Sequence, residues 1–378
     1  MLTKGCVPRK TAPSIAPGAT GDDRGSARRA MKALVIGGTG LISGGVVKHL
    51  LARGAEVHVY SRRQHGTEAR AAGERDTRDT GGPFVRFIRG DRSDARAFVA
   101  AFASSRYDVV IDMICFSPAD ATATVAAFGG RCEQLQFCST VCTYGVDVPP
   151  RVLIDETCPQ TPPTLYGQNK VLCERIFERA HADRAFKSTI IRPSQTYGPG
   201  GTIIDQLEID GGTTWDRIVK GQPVLCTGDG LGLWQATHRD DVGELFAYAA
   251  LNPATYGEAY NATRERVFTW RDYYREAARA LDRPAKLVFV PAAWLLSAAT
   301  CDRFGLLRDV TRFHGAYSSA KARAHVPEFR ATVDFERGAR ETFGELRRRG
   351  AWRDSAADLE YERLVNAALA FGFPVEEA

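Results

Sequence analysis

The chain has 378 residues, 44% of them hydrophobic and 25% charged, with a formal net charge of +5. That composition suits a soluble globular protein with a sizeable core, and no apolar run approaches the roughly twenty residues of a membrane span. The basic excess is local: residues 1–30 hold six lysines and arginines against Asp22 and Asp23, which leaves +1 for the rest. The body of the chain therefore lacks the electrostatic footprint of a nucleic-acid binder.

Residues 1–30 have no apolar periodicity and no signal-peptide core, so a disordered leader is expected, with Met31 as a candidate natural start. A transit peptide is the alternative, against which Asp22 and Asp23 speak. The nine cysteines are scattered and odd in number, without metal-site spacing. They read as reduced thiols of a cytoplasmic protein. No cluster of metal ligands is expected.

The first element is Leu34 to Ile36, a short apolar run that reads as a buried parallel strand. A glycine-rich turn follows at Gly37-Gly38-Thr39-Gly40, and Val46, Val47, Leu50 and Leu51 then recur at helical spacing as far as Gly54. In a strand–turn–helix, such a turn binds a dinucleotide pyrophosphate. Gly37 permits the tight turn, Gly40 lets the backbone approach, and the helix N-terminus offers free N–H groups. The second strand, Glu56 to Tyr60, ends at Ser61-Arg62-Arg63. An acid there would favour NAD. Its absence, with Arg62 in place, leans towards NADP, although NAD held without that acid stays open.

Residues 64–82 read as an exposed loop. Strands are expected at Phe84–Ile88, Asp108–Ile114, Gln134–Cys138 and Ser188–Ile191, with helices between them, including Ala121–Phe128 and one opening at Tyr166. The alternation is that of a doubly wound parallel α/β sheet. Beyond residue 200 the pattern is less regular: a helix at Trp215–Val219, a turn at Gly228-Asp229-Gly230, a helix at Asp240–Ala250 and a strand at Leu287–Val290. The division expected is a leader at 1–30, a nucleotide-binding core at 31–200, a mixed substrate-binding part at 201–350 that shares late core elements, and a helical tail at 351–378.

The chemistry gathers around the fifth strand and the helix after it. Tyr166 and Lys170 are four apart and share one helix face. An ammonium beside a phenol favours the phenolate, so the tyrosine pKa is expected to fall towards the working pH. Such a tyrosine exchanges a proton with an alcohol while hydride moves to or from the same carbon. Thr140, at the end of the fifth strand, can hydrogen-bond that oxygen.

The order of these features resembles the extended short-chain dehydrogenase/reductase family, of the NAD-dependent epimerase/dehydratase type, over roughly Met31 to the late 340s. The resemblance implies a Rossmann core and a smaller C-terminal substrate-binding part. It places the cofactor on Gly37, Thr39, Gly40, Leu41, Ile42, Arg62, Asp91, Arg92, Met113, Lys170 and Pro193. Gly90-Asp91-Arg92 resembles the adenine contact, and Arg192-Pro193 with Tyr197-Gly198-Pro199-Gly200 the nicotinamide side. Thr140, Tyr166 and Lys170 match the catalytic positions, with Gln195 and Trp234 towards the substrate. A homodimer through the helices near Tyr166 is also implied. The likeness includes nucleotide-sugar epimerases and dehydratases, and a branch containing plant proteins that act on RNA.

Three departures stand out. The third glycine of the loop is Ser43, with Gly44 beside it. The arginine that grips a substrate diphosphate in nucleotide-sugar members is Trp234 here, with Arg239 as a displaced candidate. A buried diphosphate without cations is costly, which points to a sugar or nucleoside lacking one. The acid pair after the threonine in dehydratases is Val141-Cys142, so dehydration loses its acid and base, while Cys142 falls where some sugar epimerases move a carbon-bound proton. The expectation is an NAD(P)-dependent epimerase of a sugar or nucleoside working through a transient ketone. The alternatives are a dehydrogenase or ketoreductase and a non-catalytic RNA-binding or scaffold protein.

Overall fold

The computed structural model describes residues 29–62, 85–146, 153–209, 211–300 and 302–377. The loop expected at 64–82 and nearly all of the expected leader lie outside them. Met31–Ala378 pack as one compact unit.

Six strands follow in chain order: β1 (Lys32–Ile36), β2 (Glu56–Ser61), β3 (Val85–Arg89), β4 (Tyr107–Asp112), β5 (Cys132–Cys138) and β6 (Lys187–Pro193). With Glu258–Ala262 they form one seven-stranded sheet, ordered Glu258–Ala262, β6, β5, β4, β1, β2, β3. Every pairing in it is parallel. Strand order reverses between β1 and β4, the switch point where open α/β sheets bind ligands beyond the strand C-termini. The strand Glu258–Ala262 comes from beyond residue 200, so a late element completes the core sheet.

Alternate residues of the strands face two apolar layers. Ala33, Val35, Val57, Val59, Val109 and Ile111 pack with α1 (Leu41–Ala52) and the helix Arg239–Ala249. Leu34, Ile36, Val110, Leu135 and Phe137 pack on the other side with α2 (Ala95–Ala101), α3 (Pro118–Phe128) and α4 (Leu165–Ala182). Burial on both faces is what the nearly continuous apolar strands anticipate. Helix starts are capped as the sequence allows: the Asp94 side chain accepts from Ala97 N, Ser117 and Asp120 form a capping box, and Thr164 accepts from Gly167 N.

The departure at Ser43 is absorbed locally. Its Oγ donates to the Gly37 carbonyl at 2.7 Å, bracing the loop from within. Close helix packing falls to Gly45, where an added Cβ would lie 2.3 Å from the Arg239 carbonyl oxygen. Gly243 faces it with the same tightness, so the two helices cross at paired glycines.

The second half is built on rings rather than on a large sheet. Trp215, Trp270, Tyr273, Tyr274, Phe335 and Phe343 are its buried centre. Pro223–Thr227 and Lys286–Val290 pair in parallel. The expected helical tail contains the helix Leu359–Phe371, and it then adds the strand Val375–Glu377, antiparallel to Lys286–Val290.

Candidate active site

At the end of β1, Gly37 turns the chain with φ +81° and donates its N–H to the Tyr60 carbonyl at 2.8 Å. A Cβ on Gly37 would meet Ile114 at 2.4 Å, and one on Gly38 would meet Val59 at 2.7 Å. The loop therefore lies flat on the sheet end, with Thr39 exposed and Leu41 and Ile42 half-buried at the start of α1. Its form fits the pyrophosphate of a dinucleotide: a left-handed turn, glycine backbone, and a helix N-terminus without acidic residues. Gln195, expected towards the substrate, has a buried Oε1 with no hydrogen-bond partner in the protein alone.

After β2 and β3, Asp91 and Arg62 lie close enough for their charges to interact. Asp91 is held below the usual carboxylate range mainly by hydrogen bonds from Ser93, with a smaller contribution from the Arg62 charge. Gly90 presses on the Tyr60 ring, where a Cβ would lie 2.4 Å away. Arg92 departs from the expected adenine contact. Its guanidinium is buried, holds both Asp112 oxygens at 2.7 Å, and donates to the Asp120 carbonyl at 2.8 Å and to Thr124 at 2.7 Å. That side chain ties β4 to α3. Met113 is buried after β4, with its N–H on the Ile36 carbonyl at 3.0 Å. Pro193 ends β6.

Thr140, Tyr166 and Lys170 come together at the end of β5. The Thr140 hydroxyl accepts from the Cys142 N–H at 3.2 Å, capping the short turn Val141–Thr143. Its own proton is thereby free to face the Tyr166 phenol. Lys170 is buried on α4, donates to the Cys138 carbonyl at 2.7 Å, and has its ammonium 5.8 Å from the Tyr166 ring centre.

Two expectations are corrected here. The Tyr166 phenol is pushed above its ordinary value, not below it. The ring is half-exposed, but its hydroxyl end is desolvated beside the Cys138 and Cys142 thiols, and only the Thr140 hydroxyl works the other way. Cys142 is likewise pushed up by burial, more than its hydrogen bonds to Thr140 and the backbone offset. A thiol that is to move a carbon-bound proton needs the opposite shift.

From Cys142 a small pocket of about 30 Å³ leads into the second half. Thr164, Trp234, Asp309, Phe313 and Tyr317 are among its walls. Trp234 is buried and stacks on Trp270, ring centres 4.7 Å apart and planes at 26°. Among the described residues, no lysine or arginine lines the cavity, and its one carboxylate, Asp309, is paired with Arg308 at 3.0 Å. Arg239, the displaced candidate for a diphosphate, is engaged elsewhere: it donates to the Pro199 carbonyl at 2.6 Å and packs against Gly198. Gln235 is bound to the backbone of Arg264 and Tyr317.

Sequence reasoning missed the residues behind this site. Glu174 is fully buried one helical turn beyond Lys170, and its Oε1 and Oε2 take Arg192 Nε at 3.0 Å and Arg192 Nη2 at 2.6 Å. The four-residue step from Tyr166 to Lys170 to Glu174 was the available signal. Phe313 and Tyr317 had none, because they lie where periodicity fails.

A family model described as the NAD dependent epimerase/dehydratase family matches residues 33–263. The chain is 29% identical over 265 residues to 2'-dehydrokanamycin reductase of Streptomyces kanamyceticus, covering 70% of each chain. It is 30% identical to UDP-glucose 4-epimerase of Lacticaseibacillus casei over 263 residues, 61% of this chain and 76% of that one. The structure of Thermus thermophilus UDP-glucose 4-epimerase in complex with NAD superposes with a TM-score of 0.61 at 24% identity, covering 84% of this chain and 99% of that one. The chain thus belongs to the NAD-dependent epimerase/dehydratase family.

Proposed function

We propose that this protein reduces a ketone on a sugar-like substrate that carries no diphosphate, using a nicotinamide cofactor. The observation that carries this reading is the small pocket beside Cys142, whose described walls include Trp234, Phe313 and Tyr317 and no lysine or arginine. A diphosphate desolvated there would lack the partners that offset its burial. Trp234, one face of which is stacked on Trp270, instead borders the pocket as an apolar wall. The likeness to a reductase of 2'-dehydrokanamycin, by its name a ketone, agrees with this choice.

A nicotinamide held in this site would supply the hydride that the carbonyl carbon receives. Gly37, Thr39, Gly40, Leu41 and Ile42 would hold its pyrophosphate, Arg62 and Asp91 the adenosine end, and Met113, Lys170 and Pro193 the nicotinamide end. Thr140 and Tyr166 hydrogen-bond the carbonyl oxygen, and Tyr166 gives it a proton as the alcohol forms. The raised phenol pKa keeps Tyr166 protonated and ready for that role. Lys170, fixed on the Cys138 carbonyl, keeps a positive charge behind the phenol while the proton leaves. Cys142 shapes the cavity without transferring a proton.

Epimerisation through the same ketone is the second reading, favoured by the likeness to UDP-glucose 4-epimerase. The two differ in cofactor balance. Offered 2'-dehydrokanamycin and NADPH or NADH, the protein should oxidise one cofactor per ketone reduced. Interconversion of UDP-glucose and UDP-galactose without net oxidation would replace this reading by the epimerase one.

The outer face of α3 and α4 supports a homodimer. Val125, Leu172 and Ile176 line an apolar groove there, and Leu172 is 51% exposed. Leu172→Arg should convert a dimer to a monomer in light scattering. An unchanged mass would remove this face from the account.

A further inference from the structure

Lys170 and Glu174 continue the face of α4 that carries Tyr166, at four-residue steps. Each meets the end of β5: Tyr166 faces Thr140, Lys170 holds the Cys138 carbonyl, and Glu174 accepts from the Ser139 hydroxyl. The geometry points to Glu174 as a positioning residue that, through Ser139, fixes Thr140 opposite Tyr166.

A buried carboxylate is costly unless its charge and lone pairs are met. Here they are met fully: Oε1 takes Ser139 and Arg192 Nε, and Oε2 takes Arg192 Nη2 and, at 2.7 Å, Gln160. An ion pair that only joined α4 to β6 would not need Ser139. The Ser139 N–H is already held by the Ile191 carbonyl at 2.7 Å. With its hydroxyl on Glu174 as well, the peptide that leads into Thr140 is tied on two sides. Without that tie, Thr140 keeps only the bonds of its own turn, to Cys142 N–H at 3.2 Å and to Thr143 Oγ1 at 2.9 Å.

The unit also reaches the cavity wall. Arg192 Nη1 donates to the Tyr144 hydroxyl at 2.9 Å, which donates to Asn261 at 2.8 Å. The Tyr144 ring stacks on Tyr317, a wall of the cavity, with centres 6.0 Å apart. One rigid buried network thus joins the substrate cavity to the catalytic strand end. Orientation of this kind matters because a misplacement of about 1 Å costs roughly a hundredfold in rate.

The inference rests on the acid–base role proposed for Tyr166, and its test reads that phenol directly. The groups facing the phenol are Thr140, the Cys138 and Cys142 thiols, and Lys170. Thr140 favours the phenolate, so its displacement should raise the Tyr166 pKa. The measurement is an ultraviolet phenolate titration of the protein saturated with oxidised cofactor, with Tyr166→Phe as the blank. Ser139→Ala should move the Tyr166 inflection upward by about half a pH unit or more while cofactor affinity is kept. Gln160→Ala, which loosens Glu174 on the side away from Ser139, should not move it. Ser139→Cys, which keeps the volume and weakens the bond, gives the same reading if Ser139→Ala does not fold. An inflection unmoved by the Ser139 variants, or moved as far by Gln160→Ala, would overturn the inference. Activity that survives Tyr166→Phe would instead overturn the acid–base role itself, whatever the titrations give.

Discussion

The two halves of the molecule handle charge in opposite ways. Around the end of β5, buried charges are kept and matched: Glu174 with Arg192, Asp112 with Arg92, and Lys170 on the Cys138 carbonyl. Around Trp234, among the described residues, the small pocket has Trp234, Phe313 and Tyr317 among its walls and no lysine or arginine, and its one carboxylate is paired at the rim. The first arrangement costs desolvation and returns fixed geometry, as proton transfer requires. The second offers a phosphate no lysine or arginine among the described residues. Under the proposed function, the chemistry and the choice of substrate would be supplied by different physics in different halves.

Tyr166→Phe breaks the first half most severely. Ketone reduction should fall about 10²- to 10⁴-fold with the melting temperature unchanged, because the half-exposed ring stays and only the proton donor is lost. Next comes Arg92→Met, read by urea unfolding. Asp112 would be left fully buried without its cation, at a cost of about 3–5 kcal/mol. If Arg92 served chiefly the adenine, cofactor affinity would fall and stability would not.

Trp234→Ala probes the second half. The Michaelis constant for the keto sugar should rise about tenfold while cofactor affinity is kept, since an apolar wall of the pocket is lost and the glycine loop is untouched. The smallest effect is in pH. Burial lowers the His238 pKa to about 4 from 6.5, more than Asp240 raises it. The folded protein therefore keeps His238 neutral while the unfolded chain takes up a proton, and stability drops as pH falls from about 6.5 towards 4. Between about pH 7 and pH 6 the loss is about 0.7 kcal/mol, and His238→Gln should flatten that part of the profile. A variant with the parent's slope would assign the dependence to another group.

The sequence was most readable where function is local. The glycine turn, the strand–helix alternation and the step from Tyr166 to Lys170 each lie within a few residues, and the structure places them as expected. Ser43 and Gly45 show the first limit: the tight approach is to Arg239, nearly two hundred residues away, so no local pattern could say which glycine makes it. Arg92 shows another, since its partners Asp112 and Thr124 come from later elements. Tyr166 shows a third. Spacing put an ammonium near the phenol, but the sign of the pKa shift depended on burial beside Cys138 and Cys142, which spacing does not report. The cavity wall was least legible, because Trp234, Phe313 and Tyr317 meet only through the irregular second half.

The central claim is hydride delivery to a phosphate-free ketone with Tyr166 as proton donor. Its most direct test is mass spectrometry of the product formed from 2'-dehydrokanamycin and reduced cofactor carrying deuterium on the transferring face. One deuterium per product at the new carbinol carbon, accumulating about 10²- to 10⁴-fold more slowly with Tyr166→Phe, is the predicted result. Failure to label that product, with UDP-glucose and UDP-galactose interconverted and the cofactor unchanged, would contradict the account.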